Sequence, residues 1–143
     1  MFKNVLLAVD LNHDASWKKA LPVALANCKA FGARLHVVMV MPDFGMPFVA
    51  AQFPKDFAKK LYGEAERHLK EFVDKQVTPE IDAQHSVLPG GTVYERILEY
   101  AKSHAIDLIV MKAYRPDLKD YLLGPNAERV ARHTNASVLI VRD

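Results

Sequence analysis

The stretch VLLAVD, residues 5–10, is a continuous apolar run that ends in an acid. A short run without polar alternation is typical of a strand buried on both faces of a parallel sheet. Three further runs repeat the pattern: LHVVMVM at 35–41, IDLIVM at 106–111 and VLIV at 138–141. A weaker, more polar run at 81–88 completes a set of five predicted strands, and its polarity predicts a position at the sheet edge.

Segments with helical spacing separate these strands. The predicted helices cover residues 14–31, 55–77, 92–104 and 125–133. Pro22 lies inside the first and lacks a backbone N–H, so we expect a kink or a later helix start. Gly32 is placed to end that helix in a left-handed conformation. Thr92 and Glu95 form a capping-box pattern, in which each side chain bonds the other residue's backbone N–H.

The order β-α-β-α-β-α-β-α-β predicts an α/β fold built from βαβ units. Right-handed crossovers then favour a Rossmann-like three-layer sandwich, with strand order 3-2-1-4-5 and helices on both faces of a five-stranded parallel sheet. We expect one domain over residues 1–143. Ligands of such sheets bind beyond the carboxyl ends of the strands, at the switch point between strands one and four. Asp10 and the loop that begins at Met111 fall there.

The composition excludes several classes of function. A formal net charge of +2, without a long run of Lys or Arg, gives no electrostatic basis for nucleic-acid or anionic-membrane binding. The single cysteine, Cys28, cannot form an intrachain disulfide. Without a signal peptide or a run of about 20 apolar residues, we expect a cytoplasmic protein with no membrane insertion.

The sequence lacks the common catalytic and metal-binding motifs. It contains neither a Walker A motif nor G-x-G-x-x-G, and no serine lies in a nucleophile-elbow pattern. The six histidines have no pair at the i,i+3 or i,i+4 spacing of a helical metal site. We therefore expect no catalytic residues, no metal site and no enzyme activity beyond slow ATP hydrolysis.

The C-terminal third carries a distinctive series of short motifs. They are DLIVM (107–111), RP (115–116), YLLG-x-NA (121–127), RH (132–133) and SVLIVR (137–142). The series resembles the C-terminal signature of the universal stress protein (UspA-like) family, in the branch that reads SHRP…YLLGSNA…RHA…SVLVVR. The N-terminal VLLAVDL and GARLHVV segments resemble the same family, so the resemblance covers nearly the whole chain.

This resemblance implies a non-catalytic regulatory protein of the stress response that binds an adenine nucleotide. ATP, ADP or AMP would occupy the switch point, with Mg²⁺ as a candidate companion of the phosphates. The resemblance also implies a homodimer formed through the last strand, acting on an unknown protein partner. By the same resemblance, Leu35 would offer its backbone to adenine.

The residues themselves support part of this site. Gly124 opens the last helix, so a phosphate can approach the backbone amides of Asn126 and Ala127, where the helix dipole favours an anion. Asp10 can accept a hydrogen bond from adenine or ribose. Arg115 can reach a phosphate electrostatically.

Other residues depart from the glycine-rich pattern G-x-x-G…G-[ST] of nucleotide-binding members. Lys112 replaces the first glycine and Arg115 the second, and Pro125 replaces the serine, which removes an amide and a hydroxyl donor. Lys112 either obstructs the ribose or adds a charge for the phosphates. These departures leave a second hypothesis open: a nucleotide-free dimeric interaction module with a diverged phosphate loop.

The segment PDFGMPFVAAQFP, residues 42–54, is unusually apolar for a sequence so rich in proline. One interpretation is that it packs onto its own domain. The other is that it forms a lid over a pocket or part of a dimer contact.

Overall fold

The structure is a computed structural model that describes residues 1–41, 56–113 and 125–142. Its strands are β1 (Asn4–Ala8), β2 (Arg34–Val40), β3 (Ala83–Leu88), β4 (Leu108–Lys112) and β5 (Ser137–Val141). Its α-helices are α1 (Ala20–Phe31), α2 (Phe57–Gln76), α3 (Val93–Ser103) and α4 (Asn126–His133), and Asp14–Ser16 forms a 3-10 turn before α1.

The five strands form one parallel sheet in the order β3-β2-β1-β4-β5. In the centre, Val5 of β1 pairs with Leu35 on one side and with Leu108 on the other. The predicted strand order 3-2-1-4-5 is confirmed, and β3 lies at an edge as its polarity indicated.

Both faces of the sheet are covered, because successive side chains of a strand point to opposite faces. Leu7 and Val9 pack in the cluster that contains α1 and α2, whereas Leu6 and Ala8 pack in the cluster that contains α3 and α4. Leu6 and Leu7 are both fully buried. Burial of each such side chain contributes roughly 1.5–3 kcal/mol to the stability of the fold, so the side chains of β1 alone provide a large part of the stabilisation by the core.

Helix α1 begins later than its apolar spacing indicates, as the proline predicted. Pro22 lies in the first turn, where a missing backbone N–H leaves no helical hydrogen bond unmade. Gly32 ends the helix at a φ of 64° and donates its N–H to the Cys28 carbonyl. Cys28 is buried, and its burial raises the pKa of the thiol to about 11.

The capping-box prediction at the start of α3 is wrong. Thr92 is the N-cap residue, but its side chain makes no cap hydrogen bond, and Glu95 accepts from the Tyr94 hydroxyl at 3.3 Å. Arg96 instead donates from Nε and Nη2 to the Gly90 carbonyl, at 3.3 and 3.2 Å. The guanidinium thus holds the loop that a side-chain cap was expected to hold.

Helix α2 is amphipathic. It buries Leu69 and Val73 against the sheet and pairs Lys70 with Asp74 at 2.6 Å on its exposed side. Across the described ranges, no helix combines the length and the apolar character needed to span a bilayer.

Replacing Gly63 of α2 by alanine should raise the free energy of unfolding by about 0.5–1 kcal/mol. Gly63 is exposed inside the helix, and an added Cβ meets no atom within 4 Å. Urea denaturation measures the effect. Gly32→Ala is the matched control, because its Cβ is equally free but its φ of 64° strains alanine, so stability should fall. A loss of stability in Gly63→Ala would contradict the argument.

Candidate functional site

The switch point of the sheet lies between the carboxyl ends of β1 and β4. These strands are neighbours, with Leu7 paired to Val110. From β1 the chain passes to α1 on one face, and from β4 it passes to α4 on the other. Because each of these helices returns the chain to the amino edge, the positive ends of both helix dipoles lie near the crevice.

Buried polar residues concentrate at this edge. The described part of the chain has four buried polar or charged residues: Asp10, Ser16, His36 and Lys112. Three of the four, all except His36, lie at the carboxyl edge or in the loop that leaves it. Buried polar side chains are costly unless they are hydrogen-bonded or used, so this edge is the candidate site.

Ser16 fixes the backbone of Asp10 from both sides. The Asp10 N–H donates to Ser16 Oγ, and the Ser16 hydroxyl donates to the Asp10 carbonyl, both at 2.9 Å. Ser16 is fully buried. Both backbone polar groups of Asp10 are therefore hydrogen-bonded to one buried side chain.

The Asp10 carboxylate organises its own loop. Its Oδ1 accepts the Asn12 N–H at 3.0 Å, and its Oδ2 lies 3.0 Å from His13 Nδ1. The His13 N–H also donates to the Asp10 carbonyl at 3.0 Å. Only 12% of the Asp10 side chain is exposed, against 42% for His13. Of this pair, the imidazole is thus the more exposed group.

Met111 and Lys112 lie at the end of β4 on opposite faces. Met111 packs in the cluster with α3 and α4. Lys112 pairs with Val141 and is only 4% exposed. By alternation its side chain is on the face of Val110 and α1. The lysine side chain therefore lies on the α1 face of the sheet, opposite α4.

The amino end of α4 is formed by three of the predicted site residues. Pro125 takes the N-cap position with a φ of −61°, one residue before the helix proper, and its carbonyl accepts the Arg129 N–H at 3.0 Å. Asn126 is the first helical residue. Ala127 packs into the core and is 2% exposed. A small side chain there lets α4 approach the sheet closely.

The assignment of Leu35 to an adenine contact is corrected by the sheet register. Leu35 pairs with Val5 at the beginning of β2, and its N–H donates to the Asp82 carbonyl at 2.8 Å. It is also fully buried, at the edge opposite Asp10. The end of β2 that reaches the switch-point edge is formed by Val40 and Met41, which the sequence analysis did not single out.

Two predicted site residues, Arg115 and Gly124, lie outside the described residues, as does the apolar segment 42–54. Within the described ranges, no group of three or more His, Cys, Asp or Glu side chains is arranged to hold a metal ion.

The fourth buried polar residue, His36, belongs to a network at the opposite edge that the sequence analysis missed. Its Nδ1 lies 3.0 Å from the Tyr100 hydroxyl and its Nε2 lies 3.0 Å from Asn4 Oδ1. Gln84 donates to the same hydroxyl at 2.9 Å, and the His104 ring stacks on Tyr100 with centroids 3.8 Å apart. The available signal was a histidine inside an otherwise apolar strand run.

This environment lowers the pKa of His36 to about 4. Burial is the main cause, and the neighbouring His104 and Arg34 add smaller effects in the same direction. A neutral His36 fits the bonding pattern, because Asn4 Oδ1 can only accept. His36 therefore donates from Nε2 and accepts the Tyr100 hydroxyl proton at Nδ1.

Comparison with known proteins identifies the family. The universal stress protein family model matches residues 1–142. The chain is 30% identical to universal stress protein G of Escherichia coli O157:H7, over 99% of this chain and 100% of that protein. It is 33% identical to a Thermus aquaticus protein named universal stress protein in QAH/OAS sulfhydrylase 3′ region, again over 99% and 100% of the two chains.

Solved structures share the fold at lower sequence identity. The universal stress protein UspA of Lactobacillus plantarum superposes with a TM-score of 0.70 at 24% identity, covering 99% of this chain and 98% of that one. A universal stress protein in complex with cAMP superposes with a TM-score of 0.58 at 23% identity, covering 99% of this chain and 97% of that one. An Archaeoglobus fulgidus universal stress protein in complex with dAMP superposes with a TM-score of 0.63 at 19% identity, covering 98% of this chain and 97% of that one. The motifs, the sheet order and the full-length family match agree, and the chain belongs to the universal stress protein family.

Proposed function

We propose that this protein is a non-catalytic stress-response regulator that binds an adenine nucleotide, ATP, ADP or AMP, at the carboxyl edge between β1 and β4. The observation that carries the proposal is the concentration of buried polar groups there, Asp10, Ser16 and Lys112. The nucleotide would lie beside Asp10, with its phosphates toward the amino end of α4. A cytoplasmic location and a single domain remain part of this proposal.

The charges of the crevice suit a nucleotide. Anions are favoured at a helix amino end, and the backbone of Asn126 and Ala127 begins such a helix. Lys112 ends β4 at the same edge, and we propose that its amino group contributes a positive charge for the phosphates. Arg115 and Gly124 complete the proposed ligand set, together with Met111 and Pro125.

The complexes of related proteins with cAMP and dAMP support the choice of ligand class. Both ligands combine an adenine with one phosphate. A site for AMP needs only the adenine pocket and a single phosphate position. ATP, and any Mg²⁺ that accompanies its phosphates, would require further positions.

The side chains of the loop after β1, residues 10–16, fit a regulatory role better than a catalytic one. A hydrolytic nucleophile needs its hydroxyl within hydrogen-bond reach of a base. Ser16 Oγ is instead bonded to the backbone of Asp10, and His13 is bonded to the Asp10 carboxylate. Within the described residues, this loop therefore offers no nucleophile–base pair.

We also propose that the protein is a homodimer formed through β5. This strand is at the sheet edge and pairs with β4 along one side. Val138, Leu139 and Ile140 remain only half-buried within one chain. A second copy would satisfy the open backbone groups and cover these side chains.

The first experiment is to denature the purified protein and identify any released nucleotide by chromatography and absorbance. The emptied protein is then titrated with ATP, ADP and AMP. We expect stoichiometric adenine nucleotide or saturable binding.

Gly124→Val should abolish nucleotide binding, because a branched side chain directly before Pro125 and α4 would occupy the space that a phosphate needs. Titration calorimetry on the emptied variant measures the loss. Gly63→Ala is the control, since Gly63 is exposed on α2 and an added Cβ meets no atom within 4 Å. Unchanged affinity in Gly124→Val would place the ligand elsewhere.

One observation favours a second function, a nucleotide-free dimeric interaction module. Pro125 supplies neither an amide nor a hydroxyl at the N-cap of α4, so the phosphate site has fewer donors than a serine would give. A protein that is purified empty and ignores millimolar ATP and AMP, yet sediments as a dimer, would establish this alternative.

A further inference from the structure

A pocket of about 340 Å³ lies at the amino edge of the sheet, beside the carboxyl-terminal ends of α3 and α4. It is lined by side chains of α3, by Ile106 before β4, and by residues 133–136, which end α4 and lead into β5. The candidate nucleotide site is at the carboxyl edge, so this pocket is a separate place in the fold. Its volume is at the lower end of the roughly 300–1,000 Å³ that is typical of small-ligand pockets, so it suits a compact molecule.

The apolar part of the lining belongs to the hydrophobic core. Leu98, Ala101, Ile106 and Ala136 are all members of the cluster that α3 and α4 form with the sheet. Ala101 and Ile106 are buried, whereas Leu98 and Ala136 are half-buried. Half-buried apolar side chains beside a pocket leave hydrocarbon surface in contact with water. A ligand that covers this surface gains the free energy of its burial.

Hydrogen bonds fix the backbone of the lining. The Ile106 N–H donates to the Ala101 carbonyl at 2.9 Å. The Thr134 N–H donates to the Val130 carbonyl at 2.9 Å, and the Ala136 N–H donates to Thr134 Oγ1 at 3.1 Å. The first two bonds also satisfy carbonyls at the carboxyl ends of the helices, where unpaired carbonyls would disfavour an anion. The pocket is therefore pre-formed, as small-ligand pockets usually are.

Two basic side chains supply the charge of the lining. Lys102 is exposed, and it forms no ion pair with any residue that the structure describes. The His133 ring stacks on Tyr94 with centroids 6.1 Å apart, and the Arg129 guanidinium lies 5.3 Å from the centre of the same tyrosine ring. None of the described lining residues carries a carboxylate. The pocket therefore favours a negative charge next to an apolar surface.

We propose that this pocket binds a small organic monoanion, a carboxylate carried by an aromatic or branched hydrocarbon body. The carboxylate accepts hydrogen bonds from the Lys102 ammonium and from a ring N–H of His133. The hydrocarbon body covers Leu98, Ile106 and Ala136. This is a second ligand site, independent of the proposed nucleotide site and at the opposite edge of the sheet.

Two probes of equal shape test the class of ligand: 1-naphthoate and its uncharged amide, 1-naphthamide. NMR titration of the isotope-labelled full chain measures both the affinity and the place of binding. We expect saturable binding of 1-naphthoate, with shifts in the amide signals of Ile106 and residues 134–136 and none in residues 10–16. The amide should bind about 2- to 5-fold more weakly, the effect of one exposed charge contact.

Variants of the lining separate the charge from the apolar contact. Lys102→Gln should weaken 1-naphthoate binding about 2- to 5-fold and leave 1-naphthamide binding unchanged. Lys75→Gln is the matched control, because both lysines are exposed in the last turn of a helix, and it should bind like the wild type. Ala136→Leu should weaken both probes about 10-fold or more, because the added methyl groups occupy the space that the naphthalene ring needs.

Several outcomes would overturn the anion site. They are equal affinities for the two probes, equal effects of Lys102→Gln and Lys75→Gln, and no binding at millimolar 1-naphthoate. Displacement of 1-naphthoate by AMP would overturn it too, because the probe would then occupy the carboxyl edge. Lys102 is exposed, so Lys102→Gln decides the question even where Ala136→Leu does not fold. Failure of AMP to bind the wild type would overturn only the nucleotide proposal.

Discussion

Acidification from pH 6.5 to pH 4 should lower the free energy of unfolding by about 3 kcal/mol through His36 alone. The pKa of His36 is about 4 in the folded protein, below its ordinary value of 6.5, so the unfolded chain takes up the proton first. The stabilisation that neutral His36 gives to the folded state is fully present above pH 6.5, and it is lost as the pH falls to 4. Protonated Nδ1 can no longer accept the Tyr100 hydroxyl, so part of the network is broken.

Urea denaturation at several pH values between 4 and 7 measures this slope. Other ionisable groups add to the acid sensitivity, so the test is the difference between the wild type and His36→Gln, which keeps a donor and an acceptor but does not titrate. His68→Gln, an exposed substitution on α2, is the control and should retain the wild-type slope. Equal slopes in the wild type and His36→Gln would contradict the assignment.

Ser16→Ala should lower the free energy of unfolding by about 1–3 kcal/mol, because it leaves the buried N–H of Asp10 without its acceptor. The Asp10 carbonyl loses the hydroxyl donor too, although it keeps the His13 N–H. Since Asp10 belongs to the proposed nucleotide site, the same variant should bind adenine nucleotide more weakly.

Ser103→Ala is the matched control for this substitution. Its hydroxyl also donates to a backbone carbonyl, that of Tyr100 at 3.1 Å, but Ser103 is exposed on α3. Water replaces that bond, so the free energy of unfolding should change by about 0.5 kcal/mol or less. Chemical denaturation and nucleotide titration of both variants measure the contrast. Equal effects of the two serine substitutions would show that Ser16 is not a specific support of the loop.

The strands, the helices and their order could be predicted because they depend on local patterns. Apolar runs mark buried strands, and Pro22 and Gly32 act on the backbone within one helical turn. The strand order followed from the handedness of crossovers, which holds for any chain with this alternation. The location of the candidate site could be predicted as well, because the carboxyl ends of parallel strands all lie along the same edge of the sheet.

The polar network around His36 could not be predicted, because it joins residues far apart in sequence. His36 meets Asn4 and Tyr100, which are 32 and 64 residues away. Whether Thr92 or Arg96 holds the start of α3 depends on side-chain geometry that no spacing encodes. The misplacement of Leu35 was avoidable, since a residue that begins a parallel strand lies at the amino edge of the sheet.

Because Cys28 is buried, the rate at which a thiol reagent modifies it measures how often the native structure opens locally. Cys28 is the only cysteine in the chain, it lies on the buried face of α1, and its raised pKa suppresses the reactive thiolate. A thiol reagent therefore modifies the native state only when α1 leaves the sheet. The labelling rate of the unmodified chain counts those openings directly, and its slowing upon addition of AMP would report ligand binding without any engineered label.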